Sequence, residues 1–247
     1  MANRRSDPSR FLPPFPRCSS FRVGQMIQFP ANGYSTAGYL AIPPSGSGPG
    51  LLVVQEWWGL VEHIKLVCDR FAAEGFVALA PDLYHGVATR SPGEAGKLYM
   101  ALSIARAASD LRGAADSLLA RPQVTSKKVG AVGFCMGGQL ALYAGAEFPE
   151  RIGAVVDFYG IHPNVRIEPS RIKVPVLAHF AERDNSVKVA DARALAASVE
   201  AAGGSIEAHF YAADHAFFND SRPTVYDRSC AETAWQRTLG FLRKHLA

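Results

Sequence analysis

The stretch KVGAVGFCMGG, residues 128–138, decides the fold. A predicted strand at residues 128–132 runs directly into Gly133-Phe134-Cys135-Met136-Gly137-Gly138, and a predicted helix at 137–146 follows. This is the G-x-C-x-G pattern of a nucleophile elbow, with cysteine in the place of serine. Because the turn from strand to helix is sharp, the nucleophile takes strained backbone angles, and the residues two positions away must be small. The start of the helix also favours the thiolate form of Cys135.

Two other interpretations of this glycine-rich stretch are a buried structural cysteine and a dinucleotide-binding turn. Gly130, Gly133 and Gly137 do not make the G-x-G-x-x-G pattern, and no obvious strand-end acid follows about 20 residues later. The sequence therefore argues against a dinucleotide site. A strand before the cysteine and a helix after it favour the elbow over a structural cysteine.

Strands and helices alternate on both sides of the elbow, after a first pair of antiparallel strands. The apolar run at residues 51–54 is typical of a strand covered on both faces. The pattern predicts an α/β fold, in which a mostly parallel central sheet lies between helices on both faces. In such sheets the site lies at the carboxyl ends of the strands. The other predicted strands are 26–29, 36–42, 76–80, 152–158, 174–180 and 205–211, and the other predicted helices are 64–72, 101–120, 189–202 and about 230–245.

A cysteine nucleophile needs a base, and the base needs an acid that orients it. His215 follows the last predicted strand, and Asp184 follows the strand at 174–180. The order Cys135, Asp184, His215 is the nucleophile–acid–base order of the α/β-hydrolases. We therefore predict that these three residues meet at the carboxyl edge of the sheet. Four other histidines lie inside predicted strands or helices: His63, His179, His209 and His245.

From about residue 26 to the C-terminus, the chain resembles the dienelactone hydrolases (carboxymethylenebutenolidases) of the α/β-hydrolase superfamily. The resemblance implies an α/β-hydrolase fold, a three-layer sandwich with helices on both faces of the sheet. The cysteine elbow and the Gln-Glu pair are the most specific features. The matching motifs are Gln55-Glu56-Trp57-Trp58-Gly59, Pro81-Asp82-Leu83-Tyr84, Gly133-Phe134-Cys135-Met136-Gly137-Gly138, Asp184 and His215-Ala216-Phe217.

The resemblance also implies roles for individual residues. The three residues predicted to meet form the catalytic triad, Glu56 approaches the thiol, and the backbone amides of Trp57 and Met136 form the oxyanion hole. A carboxylate at the end of an apolar strand is costly unless it is paired or protonated. Near a thiol, Glu56 can accept the S–H hydrogen bond and then take or relay the proton. The alternative is that Glu56 caps the following helix or pairs with an arginine.

The chain departs from the best-known family members where those enzymes hold a substrate carboxylate. They place arginines shortly after the positions of Tyr84 and His215, and this chain has other residues there. The nearest arginines, Arg90 and Arg222, do not match in position. The sequence thus leaves open whether the substrate carries a carboxylate.

Aromatic and polar residues beside the motifs are candidates for the wall of a substrate pocket, although aromatic residues are core residues by default. Asp157 interrupts the apolar run at 152–159, where it either faces the pocket or pairs internally. The candidate pocket residues are Trp58, Tyr84, His85, Tyr159, Phe217, Phe218 and Asn219.

These features predict a hydrolase of activated esters or lactones that acts through a thioester and needs neither a metal nor an organic cofactor. The alternatives are a general carboxylesterase, a thioesterase or a phosphotriesterase on the same scaffold. A non-catalytic relative that binds a ligand, or that senses oxidants through Cys135, belongs to a different class. An intact acid and base argue against pure binding, and sensing needs a resolving cysteine nearby.

Composition and charge exclude several other classes. The 247 residues have a mean hydropathy near zero and a net charge of +4. Four arginines against one aspartate place +3 of that charge in residues 1–20, so a nucleic-acid partner is not expected. No apolar run approaches the ~20 residues that cross a bilayer. We expect a cytoplasmic protein, a monomer or a homodimer, that acts on a small molecule.

The sequence predicts one α/β-hydrolase domain at residues 23–247 after an Arg- and Pro-rich, disordered tail at residues 1–22. An alternative start of translation is Met26, where the periodic pattern begins. The cysteines show no C-x-x-C pair and no zinc spacing, and a core of this size needs no disulfides. Besides Cys135, the chain contains Cys18, Cys68 and Cys230.

Overall fold

A computed structural model describes residues 24–162 and 164–246. Its eight strands form one sheet in the order β1-β2-β4-β3-β5-β6-β7-β8. The strands are β1 (Gln25–Ala31), β2 (Tyr34–Ala41), β3 (Gly50–Val54), β4 (Val77–Pro81), β5 (Val129–Phe134), β6 (Ile152–Phe158), β7 (Val176–Ala181) and β8 (Ile206–Tyr211). The helices are α1 (Glu62–Ala73), α2 (Pro92–Ala101), α3 (Ile104–Leu119), α4 (Met136–Glu147), α5 (Val189–Ala201) and α6 (Arg228–Leu246), with a short 3₁₀ turn at Pro169–Arg171.

The sheet is mostly parallel, as predicted. Strand β1 pairs antiparallel with β2, and β2 pairs antiparallel with β4. The strands from β4 to β8 are all parallel to their neighbours. The hairpin between β1 and β2 turns at Asn32-Gly33, where φ is 43° and 92°. Positive φ at both positions is the I′ geometry that suits the twist of a hairpin.

Helices cover both faces of the sheet, which confirms the predicted layers. Alternate residues of β3 face two different cores, which explains why the sequence of this strand is apolar throughout. Val53 faces a core that contains Phe71 of α1 and Trp235 of α6. Leu52 faces a second core that contains residues of α3, α4 and α5. A strand that is buried on both faces therefore lacks the alternation of apolar and polar residues.

The predicted helix at 101–120 is wrong in its first residues. The chain forms α2, breaks at Leu102, and restarts as α3 after Ser103, whose hydroxyl accepts a hydrogen bond from the amide of Arg106 at 3.3 Å. Ser103 is thus the N-cap of α3. Helix α2 buries only Ala95, so it lacks the apolar period from which a helix is predicted.

Other predictions fall on parts of the chain that the structure does not describe. The disordered tail at 1–22 and Cys18 lie outside the described residues.

Among the helices that are described, none is long and apolar enough to cross a membrane. Within the same residues, no group of three or more His, Cys, Asp or Glu side chains could hold a metal ion.

Candidate active site

Cys135 lies on the sharp turn between β5 and α4, with φ 53° and ψ −121°. Its amide donates to the carbonyl of Phe158 at 2.9 Å, which ties the turn to β6. A Cβ on Gly133 would overlap the carbonyl of Gly137, and a Cβ on Gly137 would overlap the carbonyl of Val54. Both positions therefore require glycine, and the turn holds the cysteine in a conformation that L residues rarely adopt.

Asp184 and His215 lie together, although 31 residues separate them. Asp184 follows β7 and His215 follows β8, and these parallel strands end at the same edge of the sheet. Oδ2 of Asp184 is 2.7 Å from Nδ1 of His215. Oδ1 accepts hydrogen bonds from the amides of Ser186 at 2.7 Å and Val187 at 2.9 Å. The carboxylate is thus fixed by its own loop while it orients the imidazole.

The charge around His215 favours the imidazolium. Burial lowers the pKa of His215, but hydrogen bonds with Asp184 and Cys135, and the negative charge of both, outweigh burial and raise that pKa to about 10. The imidazole therefore contacts an acid on one side and the sulfur on the other. This brings together the nucleophile, acid and base that the sequence predicted; their catalytic roles stay a prediction.

Glu56 follows β3 and borders the same cleft as Cys135. Its side chain is buried, and Oε2 accepts a hydrogen bond from Nδ2 of Asn219 at 2.8 Å. Oε1 has no partner among the described residues, and no arginine pairs with this carboxylate there. Among the described residues, Glu56 therefore does not form the arginine pair that was the alternative.

Trp57 and Met136 both line the cleft. Met136 is the first residue of α4, where amides have no partner inside the helix. Within the described chain, neither the amide of Trp57 nor that of Met136 donates a backbone hydrogen bond. Neither amide is therefore used by the backbone hydrogen bonds of the described residues, and the oxyanion hole that the resemblance implied stays a prediction.

These residues line a cleft of about 610 Å³. Trp57 packs edge-on against Trp58, with ring centroids 5.0 Å apart, and both form part of its wall. The ring centroid of Tyr159 is 5.1 Å from that of the His215 imidazole. Of the candidate pocket residues, Trp58 and Tyr159 line this cleft.

The other candidate pocket residues lie elsewhere. Phe217 and Phe218 are fully buried in the core shared with Phe134 and Trp235, because the chain turns inward after His215. Tyr84 is also buried, and its hydroxyl contacts the sulfur of Met136 at 3.4 Å, beneath the cleft.

His85 and Asn219 are also absent from the wall of this cleft. His85 turns toward Asp110, with Nε2 and Oδ2 3.1 Å apart. Asn219 does not reach the cleft itself but holds Glu56. Asp157 pairs internally: its Oδ1 accepts from the amide of Gly160 at 2.8 Å, and burial raises the pKa of this carboxyl well above its usual range.

Several residues of the cleft wall were missed in the sequence. Tyr99 comes from α2, and its ring packs on His162 with centroids 4.2 Å apart. Arg183 pairs with Asp214 at 3.0 Å beside the triad. The position directly before Asp184 is a signal that could have identified Arg183, whereas nothing local marks Tyr99. Arg222, which the sequence analysis named as a nearby arginine, also lines the cleft. The missed wall residues are Tyr99, Ile161, Arg183, Asn185, Ser186, Val187, Asp214, Ala216 and Val225.

The chain is similar to known proteins over most of its length. The family model "Dienelactone hydrolase family" matches residues 36–246. "Protein usf" of Aquifex pyrophilus is 39% identical over 231 residues, which cover 91% of this chain and all of that protein. A carboxymethylenebutenolidase of Pseudomonas sp. (strain P51) is 32% identical, covering 83% of this chain and 89% of that one. A crystal structure named as a candidate dienelactone hydrolase, from Klebsiella pneumoniae, has a TM-score of 0.82 at 29% identity and covers 90% of this chain and 99% of its own.

Proposed function

The chain belongs to the dienelactone hydrolase family, and on that premise we propose that it hydrolyses activated esters or enol lactones through a thioester formed on Cys135. Membership of the family makes the chain a hydrolase of esters or lactones. The cysteine mechanism is supported by one observation above the others. His215 bridges Asp184 and Cys135 at a strained turn that borders the cleft.

Acylation begins with the thiol of Cys135. As the S–H bond breaks, its proton moves to Glu56, and the sulfur electron pair forms a bond to the substrate carbonyl carbon. The carbonyl oxygen takes the π electrons and is bound by the free amides of Trp57 and Met136. Loss of one such donor typically costs ~3 kcal/mol of transition-state stabilisation. The tetrahedral intermediate then expels the alkoxide, which takes a proton from the imidazolium of His215.

Deacylation uses the same imidazole in its neutral form. His215 accepts a proton from water, the hydroxide adds to the thioester carbonyl, and the C–S bond breaks to release the acid and the thiolate. Asp184 holds Nδ1 throughout, so that Nε2 faces the reacting atoms. Glu56 then returns its proton to the thiolate, which restores the thiol of Cys135, the carboxylate of Glu56 and the imidazolium of His215.

The leaving groups set the substrate class. Thiolate is a better leaving group than an amide nitrogen or a poor alkoxide, so the intermediate collapses forward only when the ester is activated. Enol lactones and aryl esters meet this condition, and amides do not. The cleft wall of Trp57, Trp58 and Tyr99 suits a flat, partly apolar acyl or alcohol portion.

Arg222 gives the cleft a cation for an acidic group on the substrate. Its guanidinium lies 5.6 Å from the ring centroid of Trp58, and within the described residues it pairs with no carboxylate. The other arginine of the wall, Arg183, is neutralised by Asp214. We therefore assign Arg222 to the carboxylate of an anionic ester. Arg222→Gln is expected to lower kcat/KM about ten-fold for 4-nitrophenyl hydrogen succinate and to leave 4-nitrophenyl acetate nearly unchanged; an equal loss on both contradicts this role.

The mechanism is tested by the acyl-enzyme. After mixing with 4-nitrophenyl acetate and rapid acid quenching, intact-mass measurement is expected to show one added acetyl group, located on Cys135 by peptide mapping. Cys135→Ala removes the adduct and the turnover while the protein stays folded. Cys230→Ala is the matched control, because burial and Asp227 raise the pKa of the Cys230 thiol to about 11. Retained turnover in Cys135→Ala, or an adduct elsewhere, refutes the proposal; a stable sulfenate without an acyl adduct favours redox sensing instead.

A further inference from the structure

Asn219 connects the loop after β8 to the end of β3. It lies four positions after His215 and 163 residues from Glu56, and both Asn219 and Glu56 are almost completely buried, at 2% and 1% exposure. Nδ2 of Asn219 donates to Oε2 of Glu56 at 2.8 Å. The loop that carries the candidate base therefore also holds the carboxylate beside the candidate nucleophile.

The orientation of the Asn219 amide is fixed by its other contacts. Oδ1 accepts from the amide of Ser221 at 3.1 Å and from its hydroxyl at 2.6 Å. The backbone amide of Asn219 donates to the carbonyl of Ala216 at 2.9 Å, and its carbonyl accepts from the amide of Arg222 at 3.1 Å. A flipped side chain would direct an oxygen at the carboxylate and an NH₂ group at two donors. Nδ2 is thus the atom that faces Glu56.

The contact with Asn219 uses one oxygen of Glu56 and leaves the other available. Oε1 has no partner among the described residues, on a side chain that borders the cleft with Cys135 and Tyr159. Tyr159 lies near both groups. Burial, and then the charges of Glu56 and Cys135, raise the pKa of Tyr159 well above its usual range. The cationic groups on the same cleft are Arg222, His215 and Arg183, and Arg183 pairs with Asp214.

We infer that Asn219 is a positioning residue, a neutral donor that holds Oε2 of Glu56 so that Oε1 accepts the thiol proton of Cys135 during acylation. This inference rests on the proposed function. The proton leaves sulfur, forms an O–H bond at Oε1, and leaves its electron pair on the sulfur for attack. Because the amide is neutral, it orients the carboxylate of Glu56 without the positive charge that would hold this carboxylate in a salt bridge.

Two substitutions separate this role from a structural one. Asn219→Leu keeps the number and branching of the side-chain heavy atoms and removes the donor, so the carboxylate loses its orientation. Asn219→Asp keeps the size and shape but places a second carboxylate against Glu56. Because two adjacent carboxylates share one proton, the pKa of the pair rises. Asn164→Leu is the matched control, since Asn164 is exposed and lies outside the cleft wall.

The experiment measures kcat/KM for 4-nitrophenyl acetate from pH 5 to pH 10. Asn219→Leu is expected to lower kcat at least ten-fold with little change in KM, and to cause no further loss in a Glu56→Gln background. Asn219→Asp is expected to move the acidic limb of the profile upward by about one pH unit, a change that altered folding alone would not produce. Asn164→Leu is expected to match the wild type.

The outcomes distinguish this inference from the proposed function. If Cys135→Ala is inactive but Asn219→Leu and Asn219→Asp both retain the wild-type profile, the inference is overturned and the proposed function stands. A full additional loss when Asn219→Leu is combined with Glu56→Gln also overturns it, because Asn219 then acts through another group. If Cys135→Ala keeps its turnover, both fail. If Asn219→Leu does not fold, an unchanged acidic limb in Asn219→Asp is by itself sufficient to reject the inference.

Discussion

Two histidines, the partly buried His215 and the fully buried His179, have pKa values that are shifted in opposite directions. The side chain of His179 is completely buried within β7, with Nδ1 2.8 Å from the hydroxyl of Tyr211 and Nε2 3.1 Å from that of Thr238. Burial lowers its pKa well below the usual range, and the nearby charge of Arg237 lowers it further. His215 is also mostly buried, yet its pKa is raised to about 10.

The difference shows that the partner, and not burial, decides which histidine can serve as an acid and base. Two hydroxyls leave a buried imidazole neutral, because they do not offset the lost hydration of the charged form. A carboxylate on one side and a sulfur on the other reverse the result for His215. The place in the fold has the same effect: His179 lies within β7 and contacts Thr238 of α6, whereas His215 lies beyond a strand end, where loops can bring charges to it.

The largest effect that would test this contrast is the loss of activity in His215→Gln. The amide cannot exchange protons at neutral pH, so kcat/KM for 4-nitrophenyl acetate is expected to fall by about 10²- to 10⁴-fold, measured by steady-state kinetics. His209→Gln is the control, because this histidine contacts Glu207 near the surface and does not line the cleft. A His215→Gln enzyme within a factor of five of the wild type would remove the distinction between the two histidines.

His179→Leu is expected to affect stability and not chemistry. It leaves the hydroxyl of Thr238 unpaired in the core and removes one of two partners of the Tyr211 hydroxyl, which still receives a hydrogen bond from Arg237. The free energy of unfolding is expected to fall by about 2–4 kcal/mol, measured by urea denaturation, with kcat near the wild-type value in the folded protein. A loss of kcat as large as that of His215→Gln would show that both histidines take part in catalysis.

The pH dependence of stability is expected to have opposite signs for the two residues. The folded-state pKa of His215 is raised, so its stabilising contribution is complete below about pH 6.5 and is lost as the pH rises to about 10. The folded-state pKa of His179 is lowered, so its contribution is complete above about pH 6.5 and is lost as the pH falls.

This sign difference is measured by comparing unfolding free energies of wild type and variants. The destabilisation caused by His215→Gln is expected to be smaller at pH 9 than at pH 6. The destabilisation caused by His179→Leu is expected to be smaller at pH 5 than at pH 7.5. Equal slopes for the two variants would contradict the opposite pKa shifts.

The sequence identified the residues of the candidate triad because their position depends on local structure. Cys135, Asp184 and His215 each follow a strand of a parallel sheet, and such strands deliver their next residues to one edge. The glycines around Cys135 carry a steric requirement that is visible in the sequence itself. For the same reason, the order of strands and helices was predicted almost completely.

The cleft wall could not be predicted in the same way because it depends on where long loops turn. Phe217 and Phe218 directly follow the candidate base, yet the chain turns them into the core. Tyr99 reaches the cleft from α2, a helix with a single buried residue and no apolar period. The contact between Asn219 and Glu56 joins residues 163 positions apart, and no local pattern marks such a pair.

The smallest expected effect, that of Thr238→Val, tests the neutral state of His179 most directly. Because the Tyr211 hydroxyl accepts from Arg237, it donates to Nδ1 of His179, and Nε2–H then donates to Thr238. Valine has nearly the same shape as threonine but leaves this N–H unpaired, so we expect a loss of about 1–2 kcal/mol in urea unfolding at pH 7.5. In a His179→Leu background the same change is expected to be neutral or stabilising, because both partners are then apolar. A second loss of the same size in that background would show that Thr238 stabilises the core by a route other than His179, and the assignment of the imidazole proton to Nε2 would then be wrong.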